Sequence, residues 1–507
     1  MTDNRPVLIG IAQQTWRDRD AARSPLDALE EVSRLALADT GCEHLAEAID
    51  TVGTVPLLAD QMPGLAELLP VNMGSALGAR LGINAQAYTT YVGGNTPQQL
   101  VNHFADALAI GASKAVLLSG GEMIATLMSA LQNGTDISAW QERGEDAPIL
   151  LGENRPSGSD IELAHGLYEP VNTYPLFESA LRHARGWTRE QHLERLGGLI
   201  SRMSEVAAEN PYAWRQQRWS AEEATSTANG NRVISDPYTR VMNAILKVDM
   251  AAAVVMTTAG YARELGIEPS RLVYLRGGAD GVDIWNVSER PVLHQSPAIA
   301  ATARQALAQA ELAVHELSLF DIYSCFPSAV QVACDAIGID SDDPRGVTLT
   351  GGLTLFGGPG NNYSLHGIVE MVAQLRAGRG PHGMVTANGN YLTKHAVGIY
   401  STEPAPQSWP TDGRPDVQAE LDRLTPVEVV QEPEGEGTVE AFTASYEGDV
   451  PVRGMVIGRL SDGRRFVAQT PADTKLLQAL EGKDMVGTRG EVTPGTPVNL
   501  FQPARLR

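Results

Sequence analysis

YVGGNTPQQLVNHFADALAIGASKAVLLSGGEMIAT, residues 91–126, sets a glycine turn ahead of a helix and then a strand. Between Pro97 and Ile110 the residues Leu100, Val101, Phe104, Ala107 and Leu108 recur at helical spacing. Val116, Leu117 and Leu118 form a short apolar run, which Gly120-Gly121 is expected to close. The order predicts a helix and strand unit whose turn sits at a buried site.

Outward from this stretch the same alternation continues. Pro6–Ala12 reads as a buried strand, Pro25–Asp39 as a helix with Leu29, Val32, Leu35 and Ala36 on one face, and Thr51–Leu57 as a strand. Together they predict a layered α/β domain with a largely parallel sheet. Residues 123–231 break the rhythm over a length too great for a loop, so they predict an inserted subdomain. Within it a helix is expected over Thr188–Asn210, capped by Thr188 with Gln191 three positions on. Asp249–Thr257 resumes the sheet, and Ala259–Leu265 is a helix stopped at Gly266. From Arg271 to Thr402 the alternation recurs, which predicts an internal duplication. Residues 402–415, rich in Pro, Ser and Thr, read as a linker open to proteolysis. Beyond Thr425, GTVEAFTASY, RGMVIGRL and RRFVAQT are short strands between turns, the pattern of a small, independently folding β-barrel of OB type.

Composition bounds the function. The chain has 507 residues, 39 Lys plus Arg against 61 Asp plus Glu, and a formal charge of -22. That charge repels nucleic acid and anionic membrane surfaces, and no basic patch offsets it. Aromatic residues in the last segment are sparse (Phe442, Tyr446, Phe466, Phe501), so the barrel is not expected to bind single strands. The three cysteines, Cys42, Cys325 and Cys334, are spaced for neither a disulfide framework nor a metal site, and no Cys or His follows His395. The N-terminus lacks a signal-like core and no run is long enough to span a bilayer. The expectation is a cytoplasmic protein with no metal, no nucleic acid and no membrane insertion.

Four sequence frames, in order, resemble the thiolase superfamily. The turn at Gly93-Gly94-Asn95-Thr96 matches the nucleophilic-cysteine turn, with Gly93 at the cysteine. Tyr323-Ser324-Cys325-Phe326 matches the loop written NEAF or HDCF, with its phenylalanine kept and Cys325 as in the sterol-carrier type. GGLTLFGGPGNN, residues 351–362, matches the segment that carries the activating histidine, with Gly358 in its place. Ala387-Asn388-Gly389 matches the CxG motif, with Ala387 at the second cysteine. The inserted region resembles the thiolase insertion that holds the coenzyme A arm, and DMAAA resembles the segment closing the first thiolase half. With its added β domain the chain is most similar to the thiolase-like proteins of type 1, often named acetyl-CoA acetyltransferases.

The resemblance implies a duplicated thiolase fold, two βαβαβαββ halves in five αβαβα layers. The halves are expected over 1–122 with 232–265 and over 266–403, the insertion over 123–231, a linker over 404–415 and an OB-like domain over 416–507. It also implies that CoA or acyl-CoA is the ligand, with no separate cofactor, and that ordinary thiolase turnover is absent, since an acyl-cysteine mechanism needs the three groups that Gly93, Gly358 and Ala387 replace. A roomier pocket is expected there, with Gly94, Asn361, Asn388 and Gly389 as substrate-binding residues and Cys325, His366 and Tyr323 as candidates for relocated chemistry. Two other readings stay open: an acyltransferase-superfamily enzyme of lipid metabolism using those relocated groups, and a scaffold docking a partner through the barrel. Whether any reaction is catalysed, and whether the chain is monomer or dimer, the sequence leaves open.

Overall fold

The computed structural model of the chain describes residues 3–504. The first half runs β1 (Pro6–Thr15), α1 (Pro25–Asp39), β2 (Thr51–Thr54), α2 (Met73–Leu81), β3 (Gln86–Thr90), α3 (Thr96–Ala109) and β4 (Ala115–Met123). Ser24 and Asp27 form a capping box at the start of α1, and Pro97 sits in the first turn of α3, where a missing N–H costs nothing. An insertion follows with α4 (Ile124–Asn133), β5 (Ile149–Leu151), α5 (Pro170–Arg185), α6 (Arg189–Glu209), β6 (Val233–Ser235) and β7 (Tyr238–Thr239). Thr188 and Gln191 cap α6 reciprocally, as the sequence predicts. β8 (Asp249–Thr258) then closes the half. The second half is β9 (Val273–Val282), α7 (Pro297–Ala310), β10 (Leu319–Asp321), α8 (Pro327–Ile337), α9 (Tyr363–Arg376), β11 (His382–Gly389) and β12 (Lys394–Ser401).

Strand order shows the duplication that residue identity hides. β2-β4-β8-β1 in the first half and β10-β11-β12-β9 in the second have the same order, one parallel pair followed by two antiparallel pairs. β3 and β5 extend the first half, and a short β1–β9 ladder joins the two into one 10-stranded sheet. The expectation of a largely parallel sheet is therefore corrected, because β1, β8, β9 and β12 run antiparallel to their neighbours. These strands are apolar on both faces and so read in sequence like parallel ones.

Both faces are covered because five layers stack. Along β8, Ala252, Val254 and Met256 face α3 and α9, packing with Leu100, Phe104, Leu365 and Ile368, while Ala251, Ala253 and Val255 face α1 and α2. In the second half Val385 and Tyr400 face the central pair, and Val397 and Ile399 pack with the α7 and α8 side. β4 also corrects an expectation, since it runs through Gly120-Gly121 rather than ending there. A Cβ on Gly120 would lie 2.3 Å from Asn362 Oδ1, and one on Gly121 2.6 Å from the Ala251 Cβ. These glycines permit close approach instead of a turn.

The tail folds as a closed five-stranded barrel: β13 (Gly435–Glu447), β14 (Val450–Leu460), β15 (Arg465–Gln469), β16 (Arg489–Thr493) and β17 (Leu500–Pro503), in the cyclic order β13-β14-β15-β17-β16. It does not stand apart. Ser445 pairs with Ser235 of the insertion, the buried guanidinium of Arg465 donates to the Ser288 and Arg290 carbonyls, and His165 accepts from Asn499 N–H at 2.8 Å. The stretch read as an open linker is likewise pinned. Trp409 is buried and donates to Asp106 at 2.8 Å, and Arg414 forms ion pairs with Asp106 and Asp280.

Candidate functional site

The four sequence frames, scattered over about three hundred positions, meet at the start of α3. Gly93 N–H donates to Asn361 Oδ1 at 2.9 Å, and Ser364 Oγ donates to the Gly94 carbonyl at 3.1 Å. Gly389 packs on the same turn: a Cβ there would lie 3.2 Å from both Gly93 Cα and Gly94 N. Tyr323 of the second frame covers Gly94 so closely that a Cβ on Gly94 would lie 2.1 Å from its hydroxyl. Tyr323 N–H in turn donates to Thr386 Oγ1 at 2.9 Å, next to Ala387.

Around that turn Asn388, Tyr174, Cys325 and Tyr323 present neutral dipoles, with the Lys394 amine beside them. Asn388 Nδ2 donates to Tyr174 Oη at 3.0 Å and approaches Cys325 Sγ at 3.9 Å. Burial pushes the Cys325 thiol up to about 12, against the opposing hydrogen bond from Tyr174, so no thiolate forms there near neutral pH. Burial likewise raises the Tyr323 phenol far above its ordinary range. Tyr174, on α5, stacks on Phe326 at 4.4 Å between ring centres and brings the insertion into the site.

Three expectations are corrected here. His366 is not brought to Cys325. Its Nδ1 meets Gln13 at 2.8 Å and its ring packs edge-on to Phe356, deep enough that burial lowers it to about 3 and keeps it neutral. Gly358 does not face Gly93, since a Cβ there would meet Leu353 and Ala244. The pocket is not roomier either. The cavity between Tyr323, Ala387, Asn388 and His395 measures ≈ 10 Å³, room for about one water. Tyr323 and Leu392 are the bulky side chains in its wall. Asn361 is committed within the protein, since its Nδ2 donates to the Pro56 carbonyl at 2.9 Å while its Oδ1 holds Gly93.

Sequence reasoning missed Tyr174, Asn95, Lys394 and His395. Lys394 carries the one signal that was available: the chain has only five lysines, and this one directly follows the Ala387-Asn388-Gly389 frame and its turn. Its ammonium donates to the Val92 carbonyl, and a Cβ on Gly93 would lie 2.5 Å from Nζ. His395 is buried, sits 3.4 Å from Ser296 Oγ, and is pushed down to about 4 by burial.

A second, larger cavity of ≈ 320 Å³ lies within the insertion, lined by Arg215, Trp219, Glu222, Glu223, Asn231 and Arg240 among others. Arg215 is half-buried, and burial first and the charge of Arg240 next push its guanidinium down. The indole N–H of Trp219 is buried with no acceptor among the described residues. One backbone bond joins a residue of its wall to the glycine-rich segment, Arg215 N–H donating to the Leu355 carbonyl at 3.0 Å. Two cations, two carboxylates and a free indole donor thus share its wall. No group of His, Cys, Asp and Glu among the described residues is arranged to hold a metal ion.

The sequence family described as the thiolase-like protein type 1 additional C-terminal domain matches residues 416–496. A monomeric SCP2-thiolase like protein type 1 from Mycobacterium smegmatis is 34% identical, with a TM-score of 0.84 over 99% of this chain and 100% of its own. An Ltp2-ChsH2(DUF35) aldolase matches 79% of this chain and 98% of its own at 19% identity and TM-score 0.59. An acetyl-CoA acetyltransferase from Syntrophomonas wolfei matches 79% of this chain and all of its own at 15% identity and TM-score 0.52. At those identities the last two show the fold alone. No curated protein matches in sequence.

Proposed function

The chain belongs to the SCP2-thiolase-like proteins of type 1, and from that premise we propose that it binds coenzyme A or an acyl-CoA without carrying out thiolysis or Claisen condensation. The observation that carries this reading is the pairing of two features. The turn where the four frames meet offers only protonated or neutral groups at Gly93, Cys325 and Ala387, and a separate cavity in the insertion holds Arg215, Arg240 and Trp219 beside Glu222 and Glu223. The first feature supports the absence of thiolase turnover, and the second supports a phosphate-bearing nucleotide arm. Among the candidates for relocated chemistry, Cys325 and Tyr323 share a wall while His366 belongs to the core, so an acyl transfer run by those three has no geometric support. The barrel is spent on contacts with its own chain, which disfavours a scaffold role.

Three further readings accompany it. The acyl group belongs to lipid metabolism, the free state of all three cysteines supports a reducing cytoplasm, and the monomeric relative supports a monomer here. No helix among the described residues is long and apolar enough to cross a membrane.

A thermal-shift titration with CoA, acetyl-CoA and pantetheine tests the reading. Ligand at about 100 times its dissociation constant stabilises by about 2.7 kcal/mol. CoA and acetyl-CoA are expected to raise the transition, pantetheine to do so less, and the Arg215→Ala, Arg240→Ala double variant to lose most of the CoA shift. An unshifted transition with both CoA species would contradict the proposal.

A further inference from the structure

Four of the five lysines, Lys114, Lys247, Lys475 and Lys483, are exposed; Lys394 alone is half-buried. It opens β12 opposite Gly389, after three successive residues in left-handed backbone, Asn390, Tyr391 and Leu392, with φ of 53, 56 and 57°. Side chains adopt that conformation at a cost, and a run of three holds only where surroundings enforce it. The result aims Nζ at the Gly93 turn, where the Val92 carbonyl accepts from it. Another buried atom lies at the same turn with no partner among the described residues, Asn95 Oδ1, which a Cβ on Gly93 would approach to 2.5 Å, and Asn95 is only 5% exposed. The backbone N–H groups of Gly94 and Asn95 also meet no protein acceptor among the described residues.

We propose that Lys394 is an acyl acceptor, whose amine attacks the carbonyl of a thioester held at the Gly93 turn. This rests on the reading that the chain binds acyl-CoA. A C–N bond forms as the C–S bond breaks, the amine proton passes to the departing sulfur, and the products are an amide on Nζ and free CoA thiol. The oxygen that becomes negative in the tetrahedral intermediate is met by the Gly94 and Asn95 N–H groups. The amine must be uncharged to attack, and burial alone lowers its ammonium to about 8, with no carboxylate beside it to restore the charge. The modification occurs once per chain, so it is a covalent loading step and not thiolase turnover.

The test is peptide mass spectrometry of the full chain after incubation with acetyl-CoA and, separately, with S-acetyl-N-acetylcysteamine, which lacks the nucleotide. Acetyl addition at Lys394 is expected at least tenfold above the mean of the four exposed lysines with both donors, and Lys394→Arg is expected to abolish it. Acetylation of Lys394 no faster than that of the exposed lysines would overturn the proposal. If that result came with an intact CoA shift, binding would stand and only the acceptor role would fall. Selective labelling by the small thioester with no CoA shift would support Lys394 as acceptor and sink the CoA site instead.

Discussion

Gly93 and Gly94 differ in what keeps them bare. A Cβ on Gly93 meets the end of the Lys394 side chain and Asn95 Oδ1, both at 2.5 Å, and the lysine end can swing aside. A Cβ on Gly94 meets the Asn388 backbone carbonyl at 2.5 Å as well as the Tyr323 hydroxyl, and neither moves cheaply. Gly93→Cys is therefore expected to fold with a loss of about 1–3 kcal/mol, and Gly94→Ala to lose more, as denaturant midpoints would show. Gly93→Cys is also expected to give no thiolysis of acetoacetyl-CoA, since Ala387 supplies no second thiol and His366 is held away at Gln13. Glu122, at the far end of β4, gives a pH signature. Burial raises its carboxyl to about 8, opposed by the Leu58 and Ala59 N–H groups, and burial raises neighbouring Asp60 to about 6. Between about pH 4.5 and 8 the folded chain holds a proton at Glu122 that the unfolded chain has lost, so this contribution to stability is full below that window and falls away through it. Glu122→Gln removes the proton. The stability of that variant minus that of the wild type is expected to grow with pH up to about 8 and then level, by a few kcal/mol at most; a difference flat across the window would refute the assignment.

Among the elements, the helices were the most legible. α1, α3 and α6 carry an apolar stripe of period 3.6 together with a cap or a first-turn proline, and those local signals agree with the tertiary packing. The direction of strands was not legible, because β1, β8, β9 and β12 are apolar on both faces and neighbour identity lies far along the chain. Gly120 and Gly121 misled for a related reason: a glycine that allows Asn362 or Ala251 to approach looks the same in sequence as one that turns the chain. The site was legible as backbone frames, through glycines and Asn361, Asn388 and Cys325, and illegible as chemistry. Tyr174 comes from the insertion, and His366 faces Gln13 instead of the turn, facts that depend on three-dimensional packing. The barrel repeats the lesson. Its strands were readable, but the interface held by Arg465 was not, since a single arginine among 39 basic residues gives no sign that it will be buried. Arg465 pairs with Glu440 at 2.7 Å besides the Ser288 and Arg290 carbonyls. Removing one member of such a buried set costs about 3–5 kcal/mol. Arg465→Met is expected to loosen the barrel, so that limited proteolysis enters the 416–434 approach at least several-fold faster than in the wild type, with the β1–β12 body left intact; equal cleavage rates would show that Arg465 does not hold the interface.

At the scale of the molecule, two halves with the same strand order converge on one turn, the insertion carries a cavity lined by Arg215 and Arg240 beside Glu222 and Glu223, and the barrel contacts that insertion through Ser445 and Asn499. We read this arrangement as one that binds an acyl-CoA without cleaving a carbon–carbon bond in it. The direct test is calorimetric titration of the chain with acetoacetyl-CoA in the presence of CoA, followed by chromatographic analysis of the acyl-CoA recovered. The account predicts saturable binding at one site per chain and no acetyl-CoA among the recovered species. Formation of acetyl-CoA in multiples of the protein concentration, or the absence of binding at millimolar ligand, would contradict it.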